Sequence, residues 1–160
     1  MSAEVAVEVH GSVAAAPERA LAAVLALDPR RLLSGYGPVA GVSGHRNLVG
    51  EWAQPGDRRE VQMTDGTRVT QELLYLDAPT GFGYLLPDVH GPIGLIVRQA
   101  RAHWRFATRP DGRTVVTWRY VFEGPRGLPY LAGWFLVRTL WAGYMRAALR
   151  RALAAIDEGD

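Results

Sequence analysis

Apolar and polar residues alternate strictly over residues 5–13, VAVEVHGSV. Val5, Val7, Val9 and Val13 share one face and Glu8, His10 and Ser12 the other, the pattern of a half-buried strand. Ala16-Pro17-Glu18 then opens a helix, with Pro17 suited to its first turn. This helix runs through ERALAAVLAL and breaks at Asp28-Pro29; a second short helix, RRLL, ends at Ser34-Gly35. From residue 39 to 123 the reading is β. REVQM meets Asp65-Gly66, a strong hairpin signal, and returns as RVTQELLYL. Asp77-Ala78-Pro79-Thr80 turns into FGYLL, PDVHGPIG reads as a loop, and RAHWRFAT and TVVTWRYVF flank a turn at Pro110-Asp111-Gly112. After Gly124-Pro125 helical periodicity runs from about Leu128 to Asp157, a helix of roughly 45 Å that must pack across the sheet. The pattern predicts an α+β layer architecture with about seven antiparallel strands. Without repeats or linkers, residues 1–160 read as one domain.

Strand alternation nominates the inner face. Trp104 and Phe106 share a side in one hairpin strand, and Val116, Trp118, Tyr120 and Phe122 in the next. Val61 and Met63 face one way with Arg59, and Val69, Gln71, Leu73 and Tyr75 form the side expected to face inward. A slip of one residue would reverse that assignment. On the terminal helix the apolar stripe reads Leu131, Trp134, Phe135, Arg138, Trp141, Met145, Leu149, Ala152 and Ile156. Arg138 lies within roughly 20° of Leu131 and Leu149, in the centre of that stripe. A membrane span over 128–145 is rejected because an arginine at its middle is costly. Three partners stay open for this guanidinium: water at a cavity mouth, a carboxylate such as Glu72 or Asp88, or a ligand oxygen.

Composition narrows the chemistry. The chain has no cysteine, which excludes disulfides and thiolate chemistry. All 18 basic residues are arginine, scattered rather than clustered, and the net charge is only +2, so a nucleic-acid partner is not expected. The N-terminus has no basic segment followed by an apolar one, so a cytoplasmic location is expected. The four histidines lack metal-ligand spacing, and phosphate-loop and serine-nucleophile motifs are missing; GYGPVAG, 35–41, lacks phosphate-loop spacing. His10 and His103 fall on outward strand faces, with no role expected. Asp88 and His90, two apart in PDVHGPIG, form a candidate acid/base pair.

The order of elements resembles the START-like, or SRPBCC, superfamily, and within it the bacterial polyketide cyclase/dehydratase and lipid-transport branch. VEVHGSVAAAPERAL, PGDRREVQMTDGTRVTQELLYLDAPTGFGYLL, RAHWRFATRPDGRTVVTWRYVFE and the terminal helix carry it. The resemblance implies a helix-grip fold: a curved sheet wrapped around the long helix, with an apolar cavity between them for a hydrophobic small molecule. It implies no shared catalytic motif. The expected reading is a cofactor-independent polyketide cyclase or dehydratase of secondary metabolism, monomeric or homodimeric. In it Arg138 would polarise an enolate or carbonyl oxygen and His90, with Asp88, would move the proton. Gln71, Tyr75, Tyr84, Trp104, Trp118, Tyr120, Trp134 and Trp141 would line the ligand. The alternative is a non-catalytic carrier or sensor of the same ligand class. A membrane-peripheral or protein-interaction role for the terminal helix is the third reading.

Overall fold

A computed structural model describes residues 2–37 and 39–158. Pro38, in the glycine-rich 35–41 stretch, lies outside the described residues. Among the described residues seven strands form one antiparallel sheet: β1 Ser2–Val13, β2 Val42–Val49, β3 Arg58–Met63, β4 Arg68–Asp77, β5 Gly81–Leu86, β6 Gln99–Thr108 and β7 Thr114–Pro125. Their order across the sheet is β1-β7-β6-β5-β4-β3-β2, so hairpins build it from β2 to β7 and the first strand closes on the last. Helices α1 Pro17–Ala26 and α2 Pro29–Leu32 connect β1 to β2, and α3 Leu128–Glu158 follows β7. Pro17 and Pro29 each stand in a first helical turn, where a missing N–H costs nothing. Asp28 caps α2 through Arg30 N at 2.8 Å and binds the Arg30 guanidinium; the hydrogen bonds from Arg30 hold its carboxyl at about 2.

The alternation read from the sequence sets which side is covered. Val7, Val9 and Val13 of β1 are buried with Trp104 and Phe106 of β6 and Val116, Trp118, Tyr120 and Phe122 of β7. Their partners on the other face, among them Glu8, His10 and Arg119, meet solvent. The covered face carries α1 and the C-terminal half of α3, whose Met145, Ala148, Leu149, Ala152 and Ile156 are buried. Gly11 of β1 lets this half lie close: a Cβ there would meet the Leu153 side chain. The fold is the expected helix-grip arrangement, α+β with seven antiparallel strands and one long C-terminal helix.

One local feature of β4 departs from simple alternation. The register with β5 pairs Leu73 with Tyr84 but Tyr75 with Gly83, so Leu74 is an extra residue in a β-bulge. Everything beyond the bulge changes face. Gln71 and Leu73 are buried on the covered side, whereas the Tyr75 ring lies on the outer side over Gly83. Gly83 is required there, because a Cβ would run into the Tyr75 ring. Beyond it the Tyr75 hydroxyl meets His103 Nδ1 at 2.8 Å, on the strand next to Gly83.

Candidate functional site

The charged group drawn into the covered side of the sheet is Arg59 of β3. It stands directly across from Gln71 of β4, in the hairpin turned by Asp65-Gly66. Its Nε donates to Gln71 Oε1 at 2.7 Å, and its guanidinium lies 4.0 Å from the Trp52 ring centroid. Burial pushes this guanidinium below the usual arginine range, with Tyr84 and Tyr120 acting in the opposite sense. It remains a cation at neutral pH. Among the described residues no carboxylate forms an ion pair with it, unlike Arg58, which reaches Glu72 at 3.7 Å on the other face.

Trp52 is delivered by a loop built around a second buried polar group. The Asp57 carboxylate accepts from Ala53 N at 2.9 Å and Gln54 N at 3.2 Å. These backbone hydrogen bonds, Ala53 first, hold its carboxyl below the ordinary aspartate value despite opposing desolvation. Gly50, at φ +67°, leaves room for that carboxylate where a Cβ would collide with it. Within this loop Trp52 adopts φ 59°, a left-handed conformation uncommon for a bulky residue. The loop thus holds an indole over a cation at the price of backbone strain.

Next to Arg59 lie two tyrosines that face each other. The Tyr84 and Tyr120 hydroxyls are 3.2 Å apart and fully buried. Burial raises both above the ordinary tyrosine value, Tyr120 further than Tyr84. Both therefore stay protonated at neutral pH; one hydroxyl donates to the other, which leaves a single O–H of the pair to donate elsewhere. The indole N–H groups of Trp118 and Trp141 are buried too, without a well-formed hydrogen bond among the described residues.

The space itself is nearly closed. Trp104 and Trp118 stack at 4.6 Å, with Phe82 and Phe106 continuing the ladder on either side of Trp104. Arg59, Gln71, Tyr84, Trp52 and Trp104 enclose a cavity of about 20 Å³ with residues of α1 and α2, room for about one water. A separate apolar cleft of about 170 Å³ opens between Val39, Ile93, Ile96 and the α3 residues Leu136, Val137, Leu140 and Trp141. Trp134 is buried beside it, its indole N–H donating to Pro125 O at 3.0 Å.

The residues nominated from the sequence divide. Gln71, Tyr84, Trp104, Trp118, Tyr120, Trp134 and Trp141 are on the covered side or at its edge, as strand alternation gives for Gln71, Trp104, Trp118 and Tyr120 and helical periodicity for Trp134 and Trp141. Tyr75 is not: the bulge at Leu74 turns it outward. Arg138 is exposed on α3 rather than facing a cavity, and Glu72, one of its expected partners, binds Arg58 instead. Its helical angle matches that of buried residues further along, but nothing covers it at its own height. Asp88 and His90 are exposed in an open depression of about 440 Å³ with Arg98 and Glu123. That depression shares no lining residue with the Arg59 cavity. Asp88 and His90 line the same depression, and Arg138 is not among its lining residues. Arg59 and Trp52 were missed as site residues. The signal for Arg59 was its place opposite Gln71 on a face shared with Val61; for Trp52, in a Pro/Gly-bounded loop, no periodicity exists to read.

The wider comparisons agree with this architecture. The ARO/CYC di-domain protein StfQ of the steffimycin biosynthetic pathway superposes with a TM-score of 0.73 at 17% identity, over 98% of this chain and 51% of StfQ. This chain thus spans about half of that protein. Ara h 8.0201 superposes with a TM-score of 0.66 at 15% identity, over 95% of this chain and 99% of its own. No curated protein matches by sequence. At these identities the two structures speak for fold alone. The family described as polyketide cyclase / dehydrase and lipid transport matches residues 4–157, almost the whole chain, and the chain belongs to it.

Proposed function

We propose that this protein binds a hydrophobic small molecule through an acceptor oxygen held at Arg59, and that it cyclises or dehydrates a polyketide-like substrate without a cofactor. The observation that carries the reading is a partly buried guanidinium without a carboxylate partner among the described residues, clamped between Trp52 and Gln71 and adjoining two protonated tyrosines. A buried cation is costly unless paired, and a carbonyl, enolate or carboxylate oxygen would pair it. In an aldol cyclisation an enol carbon of the substrate attacks one of its ketone carbons. The α-proton passes to water, and the carbonyl oxygen becomes an alkoxide. Arg59 would stabilise that charge as it develops, and Tyr84 or Tyr120 would hand it a proton, to be restored from water. Dehydration would then expel the new hydroxyl as water. The remaining contribution is to hold a flexible chain in one folded shape. A ring-sized ligand needs several hundred Å³, so the side chains around the closed cavity must move apart to admit it.

The second reading, a non-catalytic carrier or sensor, is favoured by a different observation. Among the described residues no histidine or free carboxylate lines the Arg59 cavity to take a proton. The test is to follow aromatic product from a synthetic poly-β-ketone thioester with the native protein, Arg59→Met and Tyr120→Phe. The cyclase reading expects acceleration by the native protein that both variants lose. Tight binding with no acceleration by the native protein would leave the carrier.

A further inference from the structure

The half of α3 nearest β7 exposes far more apolar surface than a helix on a folded core should. Leu128 is 83% exposed, Phe135 71% and Leu131 58%, with Leu136 beside them. The 3-10 turn Pro92–Leu95 adds Leu95 at 77%. The two segments are in contact: Ile96 packs where a Gly133 Cβ would stand, and Ile93 and Ile96 share the apolar cleft with Leu136 and Trp141. Beside this half of α3 the exposed charges are positive, while Asp88 and Glu123 stand with Arg98 in the depression next to the turn. Arg98, Arg126 and Arg138 are exposed, and no Asp or Glu occurs between Glu123 and Asp157. Elsewhere the exposed arginines of the sheet alternate with carboxylates, as in Arg101–Glu4, Arg119–Glu8 and Arg46–Glu60.

We propose that this end of the molecule docks on an anionic lipid surface, with Leu128, Leu131 and Phe135 entering the interface and Arg126 and Arg138 meeting the headgroups. Two features favour a lipid surface over a protein partner. Leu128, Leu131 and Phe135 are each more than half exposed, an apolar face that a fluid acceptor covers without the matching sockets a protein partner would need. The charges that flank this face, Arg126 and Arg138, are positive and complementary to anionic headgroups. Among the described residues no helix is long and apolar enough to cross a membrane, and the proposed contact is peripheral. The proposal does not depend on the cyclase reading.

Co-sedimentation of the full chain with vesicles tests it. One set is phosphatidylcholine alone, the other an equimolar mixture with phosphatidylglycerol. The native protein is expected to bind the anionic vesicles at least about tenfold more tightly than the neutral ones, and less as salt is raised. Phe135→Glu, at an exposed position that leaves the unfolding midpoint in place, is expected to weaken that binding about tenfold or more. Arg138→Glu should weaken binding to the anionic vesicles and leave the neutral ones unaffected. Failure of the native protein to bind either vesicle overturns the proposal. So does equal binding to both that neither variant changes, or a homodimer that Phe135→Glu dissociates while vesicles are ignored.

Discussion

Leu131 and Leu149 stand 18 residues apart on α3, five full turns, and so point in the same direction. Leu149 is 3% exposed and Leu131 58%. Arg138 and Ile156 repeat the comparison at the same spacing: Ile156 is 2% exposed, Arg138 open to solvent. The difference is not in the helix but in what lies opposite. The C-terminal half rests on β1, with Gly11 admitting Leu153, and α1 and α2 close over it. The N-terminal half is covered along a narrower line, Trp134, Val137 and Trp141, by Ile93, Ile96 and Val39. Periodicity gives the angle of a side chain. Only the rest of the fold decides whether anything meets it there.

This contrast between a covered and an uncovered region can be broken by mutation. Leu149→Ala should cost about 2–5 kcal/mol of unfolding free energy, and Leu131→Ala no more than about 0.5, both read from urea midpoints. Equal losses would show that the N-terminal half is packed as tightly as the other. A smaller effect separates the tyrosines. Tyr120→Phe leaves the buried Tyr84 hydroxyl without its partner and should cost about 1–2 kcal/mol, whereas Tyr36→Phe, at an exposed residue, should be silent. Acid should act on His103 and on three aspartates held low by hydrogen bonds, Asp28, Asp57 and Asp65, all away from α3. Burial, with Arg101, Arg119 and Arg105 nearby, holds His103 below its ordinary 6.5, so the unfolded chain binds the proton first. Its contribution is present above 6.5 and is lost as pH falls below that value. Asp57, held below its ordinary 3.8 by backbone hydrogen bonds, contributes above that value and loses it on further acidification. A urea series against pH should show both losses, with His103→Gln removing the upper and Asp57→Asn reducing the lower, to which Asp28 and Asp65 also contribute. Arg138→Met is the smallest, with no change in the urea midpoint expected.

Strand pattern made most of the fold legible. β1, β6 and β7 were readable because each alternates without interruption, and their buried faces are the expected ones. The face of β4 was readable as far as Leu73, where Leu74 adds a residue that pattern alone cannot announce, and Tyr75 is lost to the outer side. Gln71 survives because it precedes the bulge. The site centred on Arg59 was half legible: alternation with Val61 and Met63 gives its face, but a single charge on a strand carries no sign of what it holds. Trp52 depends on a carboxylate five residues further on and on a left-handed backbone, neither of which leaves a period in the sequence. The oily context of Arg138 was a true signal, though of a surface rather than a pocket.

The central claim is that the interior arginine, Arg59, and not the exposed one, Arg138, holds the ligand's oxygen. Titration calorimetry of 2-naphthoate and of naphthalene into the native protein, Arg59→Met and Arg138→Met tests it directly. The account predicts that Arg59→Met weakens 2-naphthoate by about tenfold to a hundredfold while naphthalene is little changed, and that Arg138→Met alters neither. Loss of 2-naphthoate binding in Arg138→Met, with Arg59→Met binding as the native protein does, would contradict it.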